Sequence, residues 1–268
     1  MVNNGDRDRG QGAQHRSYVA SLSPEGQVNK VIADMNNLQG GYDFRNWSAS
    51  ARKELSAFIT ITIEIDCGDK RVKVAVPKLP LLVASPNLRE FMMESPAAKS
   101  LHIIHADVSL EAVRIIANWL RRVCDSPEFP TMVVPTHLGE ALRLRLTGWK
   151  LGMDRYVDHI EERYVKGIAD RVPTLNEIRL VIDNTRAKYT NDKVVVALAN
   201  RLSYLCLYEK VPPGKVRAIE RLLAEEKFDR LRAAVQEDQV AAMAERDKGA
   251  EELVTWVAHI KNRDKYLS

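Results

Sequence analysis

The chain has 268 residues, 45% apolar and 28% charged, with a net charge of +4 and an isoelectric point near 8.9. That balance excludes disorder throughout. So small a basic surplus also supplies no field that would by itself argue for nucleic acid, because clustering matters more than the total.

Residues 1–22 are polar and rich in Gly, Asn, Gln, Asp and Arg, and are expected to be a disordered extension. Ser23-Pro24-Glu25 then supplies a cap, a proline at the first helical position and an acid in the first turn. Val28, Val31, Ile32 and Met35 follow at helical spacing, and Gly40-Gly41 ends the segment. A second short helix is expected in "SASARKELSAF", closing a helical segment over 23–56. "ITITIEIDCGDKRVKVAVPK" is the clearest strand signal: Ile59, Ile61, Ile63 and Ile65 alternate with Thr60, Thr62 and Glu64, and Val72, Val74 and Val76 with Lys73 and Ala75. Turn chemistry at 66–69 makes the pair a hairpin with one buried and one wet face.

"PKLPLLVASPNL" follows, with Pro77, Leu81, Leu82, Ser85 and Pro86 read as a structural hinge. The proline ends the strand because it cannot donate to a ladder, the leucines are core, and Ser85-Pro86 starts the next helix. "LHIIHAD" at 101–107 predicts a third strand. Val113, Ile116, Leu120 and Val123 mark a helix, and "TMVV" at 131–134 could form one more short strand. Two helices joined at "KLGM" occupy 137–165. Two more fall within 166–212, and Pro212-Pro213-Gly214 precedes a tail at 215–268. The tail holds 11 basic and 11 acidic residues, the pattern of a solvated helix. Its strongest apolar patch contains Leu253, Trp256, Val257 and Ile260. Either the tail packs on its own core or it offers this face to another chain, and the sequence leaves both open.

Chemistry is sparse. No glycine-rich phosphate loop, HExxH, GxSxG or zinc-type Cys/His spacing occurs, so no catalytic residue, metal site or cofactor is assigned. His102 and His105 stand three apart in an expected strand, and an odd offset points them to opposite faces. Asp154, Asp158, His159, Glu161 and Glu162 read as the wet face of an amphipathic helix, and Arg143 and Arg145 as outward residues between core leucines. Cys67, Cys124 and Cys206 form no CxxC, which points to a reduced intracellular protein. The N-terminus has no apolar core of a signal peptide, and the longest apolar run, 194–199, is far short of the ~20 residues a membrane helix needs. A cytoplasmic or nuclear protein without a membrane partner is expected. Ser23 and Ser126, each before proline, are candidate phosphorylation sites.

The order hairpin, hinge, short strand, helix, proline-rich loop, helix–KLGM–helix resembles a BTB/POZ domain, in particular the divergent forms of filamentous fungi. Lys78, Leu81 and Ser85 match the family pattern H-K-x-x-L-x-x-x-S-x-x-F, with Pro77 in place of its histidine and Leu88 in place of its phenylalanine. "LHIIHADVSLEAVRIIANWL" resembles the third strand, acidic turn and following helix, ending in Trp119-Leu120 where the family has Leu-Tyr. Lys150, Leu151, Met153 and Tyr156 match the later helix pair, so the resemblance spans roughly 57–200.

The resemblance implies an α+β fold: a small mixed sheet capped by a helical cluster over 57–165, with a helical extension over 166–212; the additional C-terminal helices expected over 213–268 lie outside it. It implies a non-enzymatic adaptor or scaffold whose partners are proteins: itself as a homodimer, a cullin ubiquitin ligase, or a transcription or chromatin complex. Val28, Val31, Ile32 and Met35 are placed either to meet a twin, as in dimeric members, or to pack on their own domain. The alternatives are a nucleic-acid-associated protein, which the mixed charge disfavours, and an enzyme of an unrecognised helical family.

Overall fold

The computed structural model describes residues 18–56, 59–67, 70–103, 108–185 and 192–265, with backbone alone for residues 67 and 249–265. The described residues form twelve α-helices and a three-stranded mixed sheet, divided between two compact units. The first unit runs to Val134 and includes Arg143–Val157. The second comprises Pro135–Leu142 and the chain from Asp158.

Period-two alternation builds the sheet of the first unit. Strands β1 (Thr60–Cys67) and β2 (Lys70–Pro77) pair antiparallel, with Ile61 opposite Val76 and Ile63 opposite Val74. Ile61, Ile63, Ile65, Val74 and Val76 are buried on the inner face, while Thr62 and Glu64 remain partly wet. Strand β3 (Ser100–Ile103) lies parallel to β1 on its other side, so the order is β2-β1-β3. Of the third strand expected at 101–107, residues 101–103 belong to β3 and residues 104–107 lie outside the described chain.

Parallel neighbours need a crossover, and residues 78–99 supply it. Lys78 N–H bonds Ile59 O at 2.8 Å where β2 ends. The chain then turns directly into α4 (Lys78–Ala84), every residue of which is buried, including Leu81 and Leu82. Even Lys78 is enclosed, its ammonium donating to Pro96 O and, at 3.3 Å, to Ala98 O. Ser85 ends α4 and caps α5 (Pro86–Glu94): its Oγ accepts from Leu88 N–H at 3.1 Å and donates to Leu151 O, and Pro86 is the first helical residue. The predicted hinge is therefore a close-packed helical crossover.

Before the sheet come α1 (Tyr18–Ser21), α2 (Pro24–Asn37), a 3₁₀ turn at Phe44–Asn46 and α3 (Ala49–Glu54). Helical order thus starts ahead of Ser23, because Val19 has a buried site to fill. After the sheet, α6 (Leu110–Asp125) buries the expected stripe of Val113, Ile116, Leu120 and Val123. Residues 131–134 form no strand; their segment is an irregular loop in which Met132 is buried and Val133 exposed. The KLGM joint between α7 (Leu138–Lys150) and α8 (Asp154–Ile168) is a glycine-terminated helix end. Gly152 takes φ +71°, and Met153 N–H reaches back to Gly148 O at 2.8 Å.

The second unit gathers α9 (Leu175–Asp183), α10 (Lys193–Leu207), α11 (Pro213–Leu223) and α12 (Asp229–Lys265). Ile219, Leu222, Leu223, Phe228, Leu231 and Val235 share one core with Ile178, Val194, Leu198 and Leu202. The segment read as a tail thus belongs to the unit's interior through Val235, and the sequence boundary at 212–213 does not separate two packed bodies. Mixed charge concealed this, because only every third or fourth residue turns inward.

Candidate functional site

The apolar face of α2 is turned into the first unit. Val28, Val31 and Met35 are buried and Ile32 is half-buried, so of the two placements open to these residues they take the one on their own domain rather than a free dimer face. The reason is local: α2 packs on α4 and α5, so the crossover covers the face first. Beside it, a cleft of about 230 Å³ is lined by Val19, Lys30, Asp34, Leu38, Trp47 and Leu55, with Lys30 and Asp34 paired at 2.5 Å.

The polar clusters are built into the fold. On the wet face of the sheet, Glu64 pairs with Lys73 at 3.1 Å, and Asp66 meets Arg71 at 3.2 Å and His102 at 3.0 Å, linking all three strands. The hydrogen bond from Lys73 holds Glu64 below the usual carboxylate range, and that from Arg71, aided by His102, does the same for Asp66. His105 lies outside the described residues. Among the described residues, no three His, Cys, Asp or Glu side chains gather as a metal site would require. Of the acidic group on α8, Asp158 and Glu162 are exposed, but Glu161 is buried and receives Lys193 Nζ at 3.0 Å, so it does not belong to a wet face. Burial pushes the Cys124 thiol up to about 12 and raises Cys206 as well, which leaves both poor nucleophiles. The Cys67 side chain lies outside the described residues.

Arg145 also departs from expectation. Arg143 is exposed, whereas Arg145 is 1% exposed and its guanidinium lies 3.5 Å from the centre of the Trp149 ring. One of the two cations in "LRLRL" is thus an interior residue, which weakens the basic-surface alternative.

What stands out on the surface is aromatic. On α10, Val194, Leu198, Leu202 and Leu205 face the core, while Val196 and Tyr204 are exposed, as is Tyr208 in the cap just after the helix. The two tyrosine rings lie 5.1 Å apart, and Arg201 covers Tyr204 at 5.3 Å while donating to Arg171 O at 2.8 Å. Tyr and Arg held rigidly on a helix are the residue types that dominate binding energy at protein interfaces. The signal was present as a Tyr pair four apart at the end of a helix whose leucines point inward, but the sequence reading only counted that helix among those of 166–212.

Ser23 is exposed and caps α2 by accepting from Gly26 N–H at 3.1 Å. Ser126 is half-exposed at the end of α6, its carbonyl held by Arg52 at 2.9 Å. The side chains of Leu253, Trp256, Val257 and Ile260 lie outside the described residues, though their backbone is part of α12. Among the described residues no helix is long and apolar enough to cross a membrane. No family model matches the chain, and neither the curated proteins nor the solved structures give a match.

Proposed function

We propose that the chain is a non-enzymatic protein-interaction module of the BTB/POZ kind, acting as an adaptor or scaffold. The observation that supports this best is the topology of the first unit. A hairpin, two short crossover helices, a third strand parallel to the first and an amphipathic helix succeed one another, with sheet order β2-β1-β3. Lys78, Leu81 and Ser85, which carry the sequence resemblance, are among the buried residues of that crossover. Partners of the class are a cullin, a transcription or chromatin complex, or a second copy. The docking surface assigned here is Val196, Arg201 and Tyr204 on α10 with Tyr208 in its C-terminal cap.

The test is quantitative affinity capture of the full chain from its own cells, wild type beside Tyr204→Ala/Tyr208→Ala. An adaptor retains subunits of such a complex at near-stoichiometric yield. The double variant should lose at least about tenfold of that yield with its far-UV circular dichroism unchanged, since rigid aromatic anchors are worth 2 kcal/mol or more. Equal capture by both proteins would remove α10 as the contact. Recovery of nucleic acid alone would remove the adaptor reading itself.

A further inference from the structure

Helix α12 runs thirty residues past Val235, its last buried side chain among the described residues, a length of about 45 Å. From residue 236 to 248 every side chain is exposed or half-exposed, and Val240 and Met243 stand three apart at 67% and 44% exposure. A helix without tertiary packing is marginal in water. This one also contains Gly249 and a run of weak helix formers, Val254-Thr255-Trp256-Val257. Something must cover it for the helix to persist.

The sequence says what. Val240, Met243, Ala250, Val254 and Val257 occupy the two apolar positions of one seven-residue repeat, interrupted at Asp247. Charge along the same stretch is divided. Residues 236–252 hold six acids against Arg246 and Lys248, whereas residues 253–268 hold Lys261, Arg263 and Lys265 against Asp264. A uniformly charged partner, such as a polyanion or an anionic lipid surface, would meet repulsion from one half. Two copies in parallel would place like charge beside like charge along the whole length.

We infer that the distal half of α12 pairs antiparallel with the same helix of a second copy. Val240 then lies opposite Val257, Met243 opposite Val254, and the helices cross at Gly249. The cationic end at Lys261 and Arg263 comes beside Glu237 and Asp238 of the other chain. This pairing is independent of the reading of the first unit.

Light scattering of the full chain over a dilution series tests it. The wild type forms a concentration-dependent dimer. Lys261→Glu/Arg263→Glu/Lys265→Glu raises the dissociation midpoint by about tenfold or more, and adding Glu237→Lys/Asp238→Lys to the same chain restores it. A short bismaleimide then reports direction. Ala250→Cys crosslinks to its twin, while Val240→Cys, about 25 Å apart across the crossing, gives no more crosslink than wild type. A monomer at every concentration, or a dimer indifferent to the charge reversal, overturns the pairing. Crosslinking at both positions overturns its antiparallel sense.

Discussion

Arg52 shows how far a single side chain can stand from what its sequence neighbourhood implies. In "SARKEL" it reads as one more surface charge, yet it is buried and donates to four carbonyls: Trp47 O at 2.6 Å, and Val123 O, Ser126 O and Pro127 O at 2.9 Å each. Three of these lie at the C-terminal end of α6, where unsatisfied carbonyls and the helix dipole favour a cation. Arg52→Met should therefore cost about 3–5 kcal/mol in denaturant unfolding, because the carbonyls stay buried without donors. Arg52→Lys should recover only part of this, since an ammonium cannot span the same fork. Such a partnership joins residues more than seventy positions apart, and no local pattern encodes it. The opposite holds for Ser85, whose capping role was legible because Ser-Pro before a helix is a local signal. Cys124 provides a second check. With its thiol pushed up to about 12, it should stay unmodified by a thiol reagent at pH 8 in the native protein and react on denaturation, as peptide mapping would show.

Among the elements, the hairpin and the α6 stripe follow directly from their periods, because one face of each is buried against the rest of its unit. The C-terminal segment does not. Pro212-Pro213 looked like a boundary, but Pro213 is the first residue of α11, where a proline fits without loss. A chain ending at Gly214 should accordingly lose the second unit, since it lacks Ile219, Leu222, Phe228 and Leu231 from the shared core. A chain ending at Ala244 should keep its folded-state circular dichroism per helical residue and its melting temperature to within a few degrees. Phe228→Ala alone should cost about 3–5 kcal/mol, measured by chemical denaturation. An unaffected chain ending at Gly214 would mean that this core is dispensable.

At the scale of the whole molecule, acid stability follows from carboxylates held low. Burial pulls Asp43 upward, but hydrogen bonds from the Arg45 side chain and backbone, with the charges of Arg45 and Arg155, bring it below the usual range. Glu64 and Asp66 are also depressed. A carboxyl lower in the folded than in the unfolded chain stabilises fully above its unfolded value, about 4, and loses that contribution as pH falls through the folded value. Melting temperature should thus decline below about pH 4, and Asp43→Asn should be less stable than wild type at pH 6 and flatter between pH 4 and 2. An identical profile for the two proteins would show that Asp43 carries none of the dependence.

The sequence by itself determined the hairpin, the Ser85 cap that starts the helix after the hinge, and the α6 stripe, because these depend on period, turn chemistry and residues a few positions apart. Tertiary structure alone decided that α2 spends its apolar face on the crossover, that Arg52, Arg145 and Glu161 are interior, and that 215–235 contributes one apolar stripe to the core. Each of these is a choice of partner between distant segments. A helix's apolar stripe states that it must be covered, and only the packed chain shows what covers it.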